Sequence, residues 1–120
     1  MNKVLIVDDE VEITEFLCNF LNRFDIVNER ASDAKTALDK FNKLKPNWVL
    51  LDIKMPGMDG FELLAEFKKI NSNIKAMMIT GKDDKESQDR AKKLGALDYI
   101  FKPLDLDELH QKIKTHILKK

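Results

Sequence analysis

Four short apolar runs of this 120-residue chain stop at side chains that could do chemistry. Val4-Leu5-Ile6-Val7 runs into Asp8 and Asp9, Trp48-Val49-Leu50-Leu51 into Asp52, Ile74 to Ile79 into Thr80, and Leu97 to Phe101 into Lys102. Taken singly, each has an ordinary reading. Asp8 or Asp9 would cap the helix that follows, Thr80 would be a turn residue, and Lys102 a solvated charge. Asp52 is harder to set aside, because the run before it reads as buried. Taken together they are three carboxylates, a hydroxyl and an ammonium. A carboxylate cluster attracts a hard cation such as Mg²⁺ (or another divalent cation such as Mn²⁺), which prefers oxygen ligands. With that cation present, one aspartate can act as nucleophile toward a phosphoryl group and form an aspartyl phosphate. The remaining acids would hold the metal. Lys102 would set positive charge against the phosphoryl oxygens, and Thr80 would donate a hydrogen bond to them.

The elements between these residues must bring them to one place. Val11 to Leu21 carries apolar residues at 13, 16, 17, 20 and 21, the spacing of a helix face. Ile26-Val27 opens a weaker strand, closed by Ser32-Asp33, which is a good helix start. Ala34, Ala37, Leu38, Phe41 and Leu44 continue on one helical face until Lys45-Pro46-Asn47 breaks it. Pro56-Gly57 and Asp59-Gly60 mark a loop, and Phe61, Leu63, Leu64 and Phe67 form the buried side of a third helix. Asp83 to Leu94 predicts a highly charged fourth helix, with Gly95 where a C-terminal cap belongs. Leu106, Leu109, Ile113 and Ile117 make the last. Strands alternating with helices in this way imply βαβ units and a parallel sheet covered on both faces. In such sheets, sites form outside the carboxyl ends of the strands, near the point where strand order reverses. That is where all five candidate residues fall.

Composition narrows the class further. The chain carries 21 basic and 21 acidic residues and no net charge, and 43% of it is hydrophobic. The balance argues against a basic nucleic-acid binder and against a polybasic membrane anchor. No apolar run approaches a membrane span, and Asp8-Asp9 interrupts the first run too early for a signal peptide. The single cysteine, Cys18, makes neither an internal disulfide nor a cysteine-based metal cage. The expectation is one cytoplasmic domain over residues 1–120.

The segments Val4-Leu5-Ile6-Val7-Asp8-Asp9-Glu10, Leu50 to Gly60 (LLDIKMPGMDG), Ile79-Thr80-Gly81 and Gly95 to Pro103 (GALDYIFKP) occur in this order. Together they resemble the receiver domains of two-component response regulators, the CheY-like family, across roughly Lys3 to Leu118. The resemblance implies an α/β, doubly wound, (βα)5 flavodoxin-like fold with strand order 2-1-3-4-5. It implies that Asp52 accepts a phosphoryl group from a sensor histidine kinase or phosphotransfer protein. Asp9 would be a direct Mg²⁺ ligand, Asp8 would act mainly through metal-bound water, and the backbone carbonyl of Lys54 would join Asp52 in the ligand set. Thr80 matches the switch hydroxyl, Tyr99 the switch aromatic that turns inward, and Lys102 the family's lysine. Lys54 and Lys82 fall two residues after Asp52 and Thr80, positions that tune the lifetime of the phosphoryl group. The Lys102–Pro103 bond is expected to be cis, although cis is the rare form for X-Pro bonds in general.

The implied output surface is the fourth helix, fifth strand and fifth helix. It would act on a protein partner that the sequence does not name, without direct nucleic-acid binding or membrane insertion, as a monomer or a phosphorylation-dependent dimer. Leu97 stands where the winged-helix DNA-binding subfamily often has an acid, and Phe101 to Leu109 reads more like receivers joined to ATPase-type activators or sensor kinases. Two alternatives stay open: a pseudo-receiver that only binds protein, and a receiver fragment of a longer transcriptional regulator or hybrid kinase. A haloacid-dehalogenase-type phosphatase needs a second Asp where Lys54 stands. A nucleotide-binding domain needs a glycine-rich phosphate loop, and none occurs. Trp48 and Met77-Met78 read as packing, Cys18 as a buried small hydrophobe, and His110 and His116 as surface residues.

Overall fold

The computed structural model describes residues 2–55, 57, 59–81 and 84–118. Strands β1 (Lys3–Val7), β2 (Val27–Ala31), β3 (Trp48–Asp52), β4 (Lys75–Gly81) and β5 (Asp98–Lys102) alternate with helices α1 (Val11–Asn22), α2 (Ala34–Leu44), α3 (Gly60–Ile70), α4 (Lys85–Lys93) and α5 (Leu106–His116). The strands form one parallel sheet in the order β2-β1-β3-β4-β5. This is the doubly wound (βα)5 architecture expected from the alternation.

Side chains alternate across each strand, so each inner strand feeds two cores. Leu5, Val7, Val49, Leu51, Ala76 and Met78 face one layer, packed by Ala37 and Phe41 of α2, Phe61, Leu64 and Phe67 of α3, and Ala91 of α4. Val4, Ile6, Trp48, Leu50, Met77 and Ile79 face the other, packed by Leu17, Phe20 and Leu21 of α1 and Leu109 and Ile113 of α5. Double coverage is why β1, β3 and β4 read as unbroken apolar runs. β2 lies at the sheet edge with Ala31 its one buried residue, which explains its weak signal.

Backbone pairing carries two strands past their apolar runs. Thr80 and Gly81 pair with Phe101 and Lys102, so Lys102 belongs to β5 rather than following it. Ile74 stays outside β4, its N–H bonded to the Asn71 carbonyl. α4 is shorter than the charged segment suggests: Asp84 is its N-cap, and Leu94 its C-cap. Gly95 (φ 91°) follows in the left-handed region, and the Ala96 N–H donates to the Ala91 carbonyl, which closes the helix end.

Four helices have an aspartate N-cap: Asp33, Asp59, Asp84 and Asp105 each accept a backbone N–H at 2.8–3.1 Å. α1 does not. Its N-cap position is Glu10, without a side-chain cap. Asp8 Oδ1 instead accepts the Glu10 N–H at 2.9 Å, so neither Asp8 nor Asp9 serves as the cap. Two other readings need correcting. Cys18 is half-buried at the rim of a core rather than enclosed in it. His116 is half-buried and bonded to Asp98 Oδ2 at 2.9 Å, because α5 packs its last turn over the start of β5. His110 is exposed, but its ring stacks on Phe24 at 5.5 Å.

α3 starts against the end of β3. The Gly60 N–H donates to the Ile53 carbonyl at 2.8 Å, and a Cβ at residue 60 would lie 2.2 Å from the Asp52 carbonyl oxygen. Only glycine permits that approach. Gly60→Ala is expected to lower stability by about 1–3 kcal/mol despite alanine's better helix propensity. Gly81→Ala, where a Cβ meets nothing within 4 Å, should be close to neutral. Urea unfolding of both variants checks this.

Candidate functional site

The carboxyl ends of β1, β3, β4 and β5 surround a cleft of about 340 Å³ at the β1/β3 switch in strand order. It is lined by Asp9, Glu10, Asp52, Lys54, Thr80 and Lys102, among others. Asp8 lies fully buried beside it and Asp52 is only 4% exposed, whereas Asp9 is exposed. One carboxylate oxygen from each of Asp8, Asp9 and Asp52 falls within 4.8 Å of the others.

Lys102 reaches from β5 over β4 to the same place. Its Nζ lies 3.2 Å from Asp8 Oδ2, 3.6 Å from Asp52 Oδ2 and 2.5 Å from Glu10 Oε1. Glu10 was not singled out from sequence. The only hint was its place directly after Asp8-Asp9, and its partner lies 92 positions away. The Lys54 N–H donates to Asp52 Oδ1 at 3.2 Å. The Thr80 hydroxyl is buried in the cleft wall, with one long contact of 3.5 Å to the Gly81 carbonyl.

The other expected residues sit farther out. The Lys54 side chain turns from the carboxylates to Asp84, 3.1 Å away. Tyr99 is half-buried against the α2/α3/α4 core, and its hydroxyl donates to the Gln88 carbonyl of α4 at 2.6 Å. Lys102–Pro103 is a cis peptide bond. Lys82 lies outside the described residues, as do Pro56 and Met58 of the loop after β3.

Burial sets the electrostatics. It pushes the Asp52 carboxyl up to about 7, with help from the Asp8 charge and against the pull of Lys102. Burial also raises Asp8, opposed by the Glu10 N–H and by Lys102. Lys102 moves in the protonated direction: burial disfavours its charge, but Glu10, Asp52 and Asp8 together outweigh that cost. The lysine does not satisfy the cluster. Asp8 Oδ2 is buried and, among the described residues, is left without a well-formed hydrogen bond, with Lys102 Nζ 3.2 Å away as its ion-pair partner. An orphaned carboxylate oxygen beside two more carboxylates, one of them solvent-facing, suits a hard divalent cation. The residues present therefore fit Mg²⁺.

With this geometry established, the comparisons assign the family. The family described as response regulator receiver domain matches residues 4–114, and the chain belongs to it. It is 37% identical over 115 residues to sporulation initiation phosphotransferase F of Bacillus subtilis (strain 168), covering 96% of this chain and 93% of that protein. It is 36% identical over 110 residues to regulatory protein AtoC of Escherichia coli (strain K12), covering 92% of this chain but 24% of that protein. Among solved structures, the receiver domain of NtrX from Brucella abortus superposes with a TM-score of 0.88 at 34% identity, covering 98% of this chain and 99% of that one. The chemotaxis protein CheY4 of Vibrio cholerae superposes with a TM-score of 0.87 at 27% identity, covering 96% and 98%. The chain is thus a receiver domain of two-component signalling. Among the described residues, no helix is long and apolar enough to cross a membrane.

Without a divalent cation, the raised Asp52 carboxyl has a thermodynamic signature. The unfolded chain loses this proton near the ordinary value of 3.8, while the folded chain keeps it to about 7. The folded state therefore binds more protons between these values, and its stability falls as pH rises through that window. Asp52→Asn cannot ionise. Its stability relative to wild type is expected to grow by ~1 kcal/mol or more between about pH 5 and about pH 8. Urea unfolding in chelator at both pH values measures this, and a pH-independent difference would contradict the assignment.

Proposed function

We propose that this receiver is a phosphorylation-operated switch in which Asp52 takes a phosphoryl group from a sensor histidine kinase or phosphotransfer protein. The observation that carries the reading is the convergence of buried Asp52, the orphaned Asp8 oxygen and Lys102 in one cleft. An Asp52 carboxylate oxygen would attack phosphorus as the bond from phosphorus to the donor's histidine nitrogen breaks. Asp8, Asp9, Asp52 and the Lys54 carbonyl would hold Mg²⁺. Bound there, the ion would supply positive charge against the carboxylates and the phosphoryl oxygens. Lys102 would exchange part of its carboxylate pairing for those oxygens, and the Thr80 hydroxyl, with only a weak contact to give up, would donate to them. Slow self-dephosphorylation would be water attack on the acyl phosphate.

The phosphoryl group, carrying about −1.5 to −2 at pH 7 where the carboxylate carried about −1, would then bias the α4/β5/α5 face through Thr80 and Tyr99. Leu97, directly before β5, is exposed there (53%), which suits a protein partner. Residues 1–120 would act in the cytoplasm as one receiver unit, as a monomer or a phosphorylation-dependent dimer. The relative named a phosphotransferase, matched over nearly its whole length, supports a role in passing phosphoryl groups between proteins.

Intact-mass measurement after treatment with a small phosphodonor tests the acceptor. A single phosphoryl adduct is expected with Mg²⁺, lost in chelator and absent from Asp52→Asn. Normal labelling of that variant would refute the assignment. Lys102→Ala is expected to keep most of its Mg²⁺ affinity and to lose phosphorylation-dependent partner binding. Unchanged partner binding would remove Lys102 from the switch.

A further inference from the structure

α4 buries fewer of its residues than any other helix of the fold. Ala91 is its one buried residue. Its other anchors among the described residues include the Tyr99 hydroxyl on the Gln88 carbonyl, the Gln88 side-chain amide on the Gly81 carbonyl at 3.4 Å, the Arg90 guanidinium 4.3 Å from the centre of the Phe61 ring, and the Asp84 cap. Asp84 does two things at once. Its Oδ1 accepts the Ser87 N–H at 3.1 Å, and its Oδ2 pairs with Lys54 Nζ at 3.1 Å. The Ser87 side chain and Lys54 together hold this carboxyl below the usual aspartate range. Lys54 in turn belongs to the cleft, since its N–H donates to Asp52 Oδ1 and the residue forms part of the wall. One residue therefore touches both the acceptor aspartate and the first turn of α4.

The strength of each contact decides what this link can do. Lys54 is 79% exposed, and a single solvated ammonium–carboxylate pair is weak and easily traded. A phosphoryl group on Asp52 offers nearly twice the charge of Asp84 and three acceptor oxygens. We infer that Lys54 is a partner-exchange latch: it holds the α4 N-terminus to the loop after β3 while Asp52 is bare, and leaves Asp84 for the phosphoryl group once Asp52 is modified. The exchange frees the first turn of α4 from the β3 side of the site, by a route separate from Thr80 and Tyr99. It rests on the phosphorylation of Asp52 proposed above.

Amide hydrogen exchange at Ser87, whose N–H is bonded to Asp84, reads the latch directly. It would be followed in the full chain with Mg²⁺, before and after a small phosphodonor, with adduct formation measured by mass on the same samples. In wild type, phosphorylation is expected to speed Ser87 exchange several-fold. Lys54→Met should exchange fast from the outset and show no further change on phosphorylation. Asp84→Asn keeps the cap oxygen without its charge and should behave like Lys54→Met, while Lys54→Arg should behave like wild type. A phosphorylated Lys54→Met that shows the wild-type acceleration, or an unphosphorylated one as slow as wild type, would overturn the latch alone. Absence of any adduct in wild type would overturn the acceptor reading and the latch with it.

Discussion

Two carboxylates, Asp8 and Asp52, are held out of water side by side at one edge of a parallel sheet, and most of what surrounds them answers that cost. Burying a charge without compensation costs several kcal/mol per ion. The chain's response is partial. Lys102 crosses from β5 to sit against both, the Glu10 and Lys54 amides donate to one oxygen of each, and one Asp8 oxygen is left without a hydrogen bond. The site is therefore under-neutralised, and Asp52 holds its proton to about 7. A divalent cation would complete the charge balance and favour the ionised form of Asp52. The same imbalance that weakens the fold at high pH makes the cleft receptive to metal.

The two sides of the sheet are built to different stiffness. α1 and α5 pack Leu17, Phe20, Leu21, Leu109 and Ile113 into one core. On the other side, α2 and α3 lock together through Phe41 and Phe67, stacked at 4.3 Å. α4 shares that face but contributes only Ala91. Its remaining ties are polar, and polar ties on an exposed helix are individually weak. A charge placed on Asp52 thus acts on a framework that yields at one helix and resists elsewhere, which suits a switch with a small number of moving parts.

Much of this was legible from the residues alone, for a physical reason. A sheet covered on both faces demands apolar residues at every position of its inner strands, so β1, β3 and β4 announce themselves, and the polar residues that end them are conspicuous. Edge strands carry no such demand, and β2, with Val27 exposed at its start, was faint. The ends of α4 are unmarked in the sequence because its charged composition has no apolar stripe to set a boundary.

The sequence by itself determined the (βα)5 alternation, the family, and the residue types gathered at the strand ends. Those follow from local period and from which side chains interrupt it, quantities that adjacent residues carry. Only the tertiary structure decided which charges pair. Glu10 with Lys102, Lys54 with Asp84, and His116 with Asp98 join residues far apart in the chain. Each pairing depends on strand order, on register and on the angle at which a helix leaves the sheet. Whether Asp8 would cap α1 or turn to the cleft was equally undetermined locally, since the residue type serves both. Burial settled it: its Oδ1 accepts the Glu10 N–H before the helix begins, and its Oδ2 is left facing Lys102.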